Sequence, residues 1–148
     1  MGFFSSILKE SLPTVKITDE KEAFVSILVA CASTDDYLSI EEWKTIWAAI
    51  CDKNYFMNVD GVAIYNKAVD NYRKLNKSCT ALIEAALPAI PNDLKAAVFS
   101  YAVDLVLSDG VVTKEEEDIL AFLKTKFGID DNLSNKLAEA FWVKNRIN

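Results

Sequence analysis

A nine-residue stretch occurs twice in this chain, and that repetition limits the fold more than any compositional figure does. Ser108-Asp109-Gly110-Val111-Val112-Thr113-Lys114-Glu115-Glu116 has an upstream counterpart in Thr34-Asp35-Asp36-Tyr37-Leu38-Ser39-Ile40-Glu41-Glu42, at a constant offset of 74 (Asp35 to Asp109). At this offset Ala23/Ala97, Ser26/Ser100, Val29/Val103, Asp35/Asp109, Glu41/Glu115 and Glu42/Glu116 are identical. Ser39/Thr113 and Leu38/Val112 are conservative pairs. Self-similarity at a fixed spacing marks a duplicated supersecondary unit. Each copy joins an apolar run to a second helical pattern through a short acidic loop, so two related halves are expected.

The periodicity is helical throughout. Thr18 reads as an N-cap, with Asp19, Glu20 and Glu22 suiting the positive end of a helix dipole. Ala23, Phe24, Ile27, Leu28 and Cys31 then form a buried stripe running to about Ser33. Trp43, Ile46, Trp47 and Ile50 give a second helix ending near Asp52. Val62, Tyr65, Val69 and Tyr72 give a third, capped by Asn58 or Asp60. Ser78 opens a fourth with Leu82, Ala86 and Leu87, closed by Pro88 and Pro91. In the second half Leu94, Val98, Tyr101 and Leu105 share a face. Ile119, Leu120, Leu123 and Phe127 follow, with Gly128 as the C′ stop. Asp130 or Asp131 caps a last helix whose Leu133, Leu137, Phe141 and Ile147 face inward. No alternating strand pattern is present. The expected fold is all-α: a single-domain bundle of about seven helices in two pseudo-symmetric halves. Residues 1–18 form a short N-terminal accessory helix (3–12) and linker. The domain is 19–148, with the first repeat at about 19–76 and the second at about 91–147.

Composition removes several chemistries. The chain has 148 residues and His 0, so imidazole is absent both as general base and as metal ligand. Cys31, Cys51 and Cys79 are widely spaced and form no CxxC pair, which disfavours structural zinc and thioredoxin-like chemistry. They read as buried inert thiols of a reducing cytoplasm. The net charge of −6 disfavours nucleic acid and favours cations or basic partners. No apolar run reaches the roughly 20 residues of a spanning helix, and Lys9-Glu10 interrupts the N-terminus too early for a secretory signal. A cytoplasmic protein without a membrane span is expected.

The acidic loops have two readings. Ser39-x-x-Glu42 and Thr113-x-x-Glu116 are capping boxes, which satisfy helix amides and require no ligand. Alternatively, a loop Asp and a Glu seven residues later converge on a divalent cation, which makes Asp35, Glu42, Asp109 and Glu116 the candidate metal ligands. An all-oxygen set favours Ca²⁺ or Mg²⁺, with Mn²⁺ or Zn²⁺ as further candidates. The loops are not EF-hands: positions 1 and 3 would fall on Leu105 and Leu107, or on Cys31 and Ser33. Asp104, one turn before the second loop, is either a solvated residue or a further ligand. Asp36, Glu41, Glu115, Glu117 and Asp118 thicken the negative field and read mainly as a solvated acidic face.

The duplicated pattern of a long apolar helix, then Asp-Gly-x-[Ile/Val]-[Ser/Thr]-x-x-Glu, then a second helix resembles the tellurite-resistance TerB-like family. The resemblance covers about residues 19–146. It implies a bacterial helical bundle linked to stress and metal resistance, with acidic residues that bind divalent metal. The positions matching the family motif are Asp35 and Glu42 in the first copy and Asp109 and Glu116 in the second. Asp36 stands where the family prefers Gly. The function expected is a divalent-metal-binding scaffold or sensor, not an enzyme, whose partners are cations and other stress-response proteins. The alternative is a metal-independent interaction module that uses an acidic helical face.

Overall fold

The computed structural model describes residues 14–34 and 38–147. These residues contain seven α-helices and no strand: α1 (Glu20–Ala32), α2 (Ile40–Ile50), α3 (Gly61–Lys74), α4 (Cys79–Ala86), α5 (Lys95–Leu107), α6 (Lys114–Phe127) and α7 (Asp131–Lys144). Short 3₁₀ turns cover Asn54–Phe56, Leu87–Ala89, Asn92–Leu94 and Asn145–Ile147. No described helix is long and apolar enough to cross a membrane. The N-terminal accessory helix expected at 3–12 lies outside the described residues.

The chain is built around α1. Every residue from Ala23 to Cys31 is buried, because a helix that is apolar on all sides must be enclosed on all sides. It lies against α3, α4 and α5 and touches α6. Asp19 caps it, accepting the Lys21 amide hydrogen at 2.8 Å, so the cap sits one residue later than the Thr18 expected from sequence. Both residues can cap, and local sequence does not choose between neighbours. Asp60 caps α3 through two amides, those of Val62 and Ala63 at 3.0 and 3.1 Å. Ser78 and Asp130 cap α4 and α7. Gly128 ends α6 in the left-handed region at φ 66°, with the Ile129 amide returning to the Lys124 carbonyl.

An aromatic cluster fixes α2. Phe24 of α1 meets Tyr55, Phe56 and Tyr101, with ring centroids 5.3–5.7 Å apart. Trp43 is fully buried and donates its indole N–H to the Gly61 carbonyl at 2.9 Å. Trp47 lies tilted beside Trp43 and meets Phe56 edge-on. The Tyr65 hydroxyl donates to the Leu38 carbonyl at 2.6 Å, which holds the approach to Ser39.

The two copies of the repeat pack differently. α5 and α6 lie against each other, whereas α2 lies mainly against α3. The cause is legible at the 74-residue offset. Trp43 and Trp47, which dock α2 on Gly61, correspond to Glu117 and Ala121, which have no aromatic surface to dock. The two stretches are thus alike at their helix starts and differ in what those helices pack against.

Three expectations of burial need correction. α7 has no buried residue, and Ile147 is 93% exposed. Leu137 and Phe141 are half-buried against the core. Of the thiols only Cys31 is buried; Cys51, in the C-cap position of α2, is exposed and Cys79 is intermediate. A lone apolar neighbourhood in sequence does not place a residue beneath another element.

A hollow between the two acidic helix starts

Both capping boxes are formed. Ser39 Oγ accepts the Glu42 amide at 3.1 Å and Glu42 Oε1 accepts the Ser39 amide at 3.2 Å. Thr113 Oγ1 accepts the Glu116 amide at 3.2 Å and Glu116 Oε1 accepts the Thr113 amide at 3.0 Å. Each glutamate thus has one oxygen given to a helix amide. Each places its carboxylate at the positive end of its own helix, α2 or α6.

Asp109 is exposed and closes the second loop on itself. Its Oδ1 accepts the Val111 amide at 3.0 Å, and Gly110 takes a φ of 77° with its own amide on the Leu107 carbonyl. A residue other than Gly would be strained in that left-handed conformation. Asp35 and Asp36 lie outside the described residues. Asp104 is half-buried and paired rather than free in solvent. Its Oδ2 pairs with Lys144 Nζ at 2.8 Å and its Oδ1 accepts Asn145 Nδ2 at 3.0 Å, so both oxygens are given to the end of α7.

The structure unites residues that the spacing kept apart. Glu42 and Glu116, one from each copy, line the same hollow of about 310 Å³. Its walls include Cys31 and Ala32 at the end of α1 and Leu105, Val106 and Ser108 at the end of α5. Thr45 and Ile46 of α2 and Leu38 complete it, and Asp109 is outside the lining. The hollow contains two carboxylates and neither Lys nor Arg. Two helix C-termini abut it, while the positive ends of α2 and α6 lie at the two glutamates, so its negative character rests on the two carboxylates. That character suits a cation. No sequence signal gave this pairing, since the two glutamates line one hollow only through the way the helices pack.

Cys31 shows the apolar side of the same hollow. Burial, with a smaller contribution from Cys79, pushes its thiol up to about 12, so it stays protonated and is a poor ligand at neutral pH. Among the described residues no three Cys, Asp or Glu side chains are grouped tightly enough to hold an ion alone. The donor set fits a hydrated hard cation. Mg²⁺ in particular is commonly held by one or two carboxylates while water fills the other positions.

A second hollow, of about 270 Å³, continues from the first and shares Thr45, Ile46, Leu105 and Ser108 with it. Its floor is Leu28, Ile50 and Tyr101, and its far wall is Asp104, Lys144 and Asn145. Comparison with protein-family models, curated proteins and solved structures finds no match.

Proposed function

We propose that this chain is a cytoplasmic, non-catalytic TerB-like scaffold or sensor of a bacterial stress response, and that it takes a divalent cation between Glu42 and Glu116. The observation that carries the reading is that these two glutamates line one hollow whose lining holds no Lys or Arg. Each retains a carboxylate oxygen that the capping box does not use. Glu42 and Glu116 would hold the ion and water would complete its shell, which favours Mg²⁺ or Ca²⁺. Such an ion would bridge α2 and α6, and so tie the two acidic loops into one responsive unit.

The test is thermal unfolding of chelator-stripped protein titrated with Mg²⁺, Ca²⁺, Mn²⁺, Ni²⁺ and Cu²⁺, beside Glu42→Gln and Glu116→Gln. An ion binding only the folded state adds about 2.7 kcal/mol at a hundredfold excess over Kd. A Gln at N3 still supports a capping box, so metal-free stability should stay within about 0.5 kcal/mol of the parent. Each variant should lose most of the metal-dependent gain, because the glutamates share one ion. Asp109→Asn should lose less, since Asp109 is outside the hollow. Equal losses for Asp109→Asn and Glu116→Gln would instead favour a separate ion in each loop. If the Gln variants gain as much from metal as the parent, the glutamates are caps only. The metal-independent module, using the exposed Glu41, Glu115 and Glu117 face, would then take precedence.

A further inference from the structure

The last helix is attached unlike the others. Each of α1 to α6 contributes at least two buried side chains, while α7 contributes none. α5 is the one helix it packs against extensively among the described residues. Its apolar hold is the half-burial of Leu137 and Phe141. Its polar hold is a fork at one end: Asp104 of α5 accepts from Lys144 at 2.8 Å and from Asn145 at 3.0 Å. Asn145 also donates to the Phe141 carbonyl at 2.9 Å, which presents its amide to Asp104.

The ground beneath α7 is incompletely filled. A hollow of about 230 Å³ is lined by Ser100, Tyr101, Asp104 and Phe141. The neighbouring hollow of about 270 Å³ has Lys144 and Asn145 in its wall. At the other end of the helix the chain turns at Gly128. Gly128 sits in the left-handed region, and nothing lies within 4 Å of where its Cβ would be. Only Ile129 and Asp130 separate it from the first residue of α7. The turn is held by the Ile129 amide on the Lys124 carbonyl, by the half-burial of Ile129 and by an ion pair between Lys124 and Asp131 whose carboxylate is exposed, a type of pair that holds weakly in water.

We infer that α7 is a releasable strap. It swings about Gly128 as a unit while the rest of the bundle stays folded, and the Asp104 fork is its latch. Elements with little buried apolar surface open at free energies below that of global unfolding. Opening withdraws Lys144 and Asn145 from the wall of the larger hollow and uncovers Tyr101 and Leu105 of α5. The strap therefore gates the apolar hollow, and this holds whether or not Glu42 and Glu116 take a cation.

Hydrogen exchange of the full chain, read by mass spectrometry at neutral pH, tests this directly. The amides of α7 should exchange together, about tenfold or more faster than the slowest amides of α1 and α5. Asp104→Ala should speed α7 a further threefold to tenfold or so, with α1, α3 and α4 unchanged. Lys144→Gln removes only an exposed partner and leaves the core untouched, and should act in the same direction by a smaller factor. Exchange of α7 at the rate of α1 and α5 would overturn the strap. So would Asp104→Ala speeding every helix alike, which would make the fork a general brace. If neither variant alters α7, the fork is not the latch and the assignment fails.

Discussion

Replacing Gly61 by Ala should destabilise the protein by about 1–2 kcal/mol, for a purely steric reason. Gly61 is the first residue of α3 and is buried. Its φ is not among the positive ones, so an L-residue suits its backbone. A Cβ there would lie 2.3 Å from Trp47 Nε1 and 2.5 Å from Trp47 Cδ1 and Cε2. Non-bonded carbon atoms settle at about 3.5–4.0 Å, so the indole must retreat by roughly an ångström. It has little room to do so, with Trp43 centred 5.8 Å away on one side and Phe56 5.2 Å away on another. Overpacking of this kind costs about 1–3 kcal/mol. Restricting the unfolded chain returns about 0.4–1 kcal/mol.

Urea unfolding followed by far-ultraviolet circular dichroism measures the difference without depending on tryptophan fluorescence. Trp47→Leu supplies the second edge of a double-mutant cycle. In that background the Gly61→Ala step should cost nothing or be slightly stabilising. A cost below about 0.5 kcal/mol in the parent, the ordinary range for a surface change, would refute the reasoning. An equal cost in both backgrounds would refute it too, since the indole would then not be the obstacle. The contact also positions the site: α2 rests mainly on α3, and Glu42 is in its first turn.

Ser26→Ala should stabilise the fold by about 1 kcal/mol, because the Ser26 hydroxyl is fully buried without a hydrogen-bond partner among the described residues and Ala favours helix; a lower unfolding midpoint in urea would contradict this. Asp60→Ala should cost about 1–2 kcal/mol in the same assay, since Asp60 caps two amides of α3; a loss within 0.3 kcal/mol or so would show the cap to be dispensable. At pH 8 Cys51 should react with a chromogenic disulfide reagent in the folded protein, while Cys31 should react only after denaturation; equal rates would refute its burial. Above pH 9 the unfolded chain loses the Cys31 proton that the folded state keeps up to about 12, so stability falls as pH rises through that window, by up to about 1.4 kcal/mol per unit. Urea stability measured between pH 9 and 10.5 should fall less steeply for Cys31→Ala than for the parent, and parallel curves would refute the link.

What the sequence disclosed and what it withheld follow from the range of each interaction. Capping boxes need partners three residues apart, so Ser39/Glu42 and Thr113/Glu116 were readable and both formed. Gly128 as a stop was readable for the same reason. The stripes of α1 and α5 were readable because a long apolar run has nowhere to go but inside. Asp104 was not readable, since its partners are 40 and 41 residues away at the end of another helix. The stripe on α7 was visible, but periodicity gives a face and not the element that covers it, and Ile147 found none.

The repeat sharpens the same point. Equal local sequence gave equal local geometry at the two helix starts, with the same reciprocal pair of hydrogen bonds in each. It did not give equal surroundings, because two tryptophans in one copy stand where the other has Glu117 and Ala121. Once α2 is drawn onto α3 by Gly61, the groove between α2 and α5 stays open, and the two hollows occupy it. The departure from symmetry is thus what brings Glu42 and Glu116 to face a common space. A perfectly repeated packing, with α2 against α1 as α6 is against α5, would have closed part of that groove with apolar side chains. The residues that matter most for the proposed site are therefore Trp43 and Trp47, which touch no ligand and break the repeat.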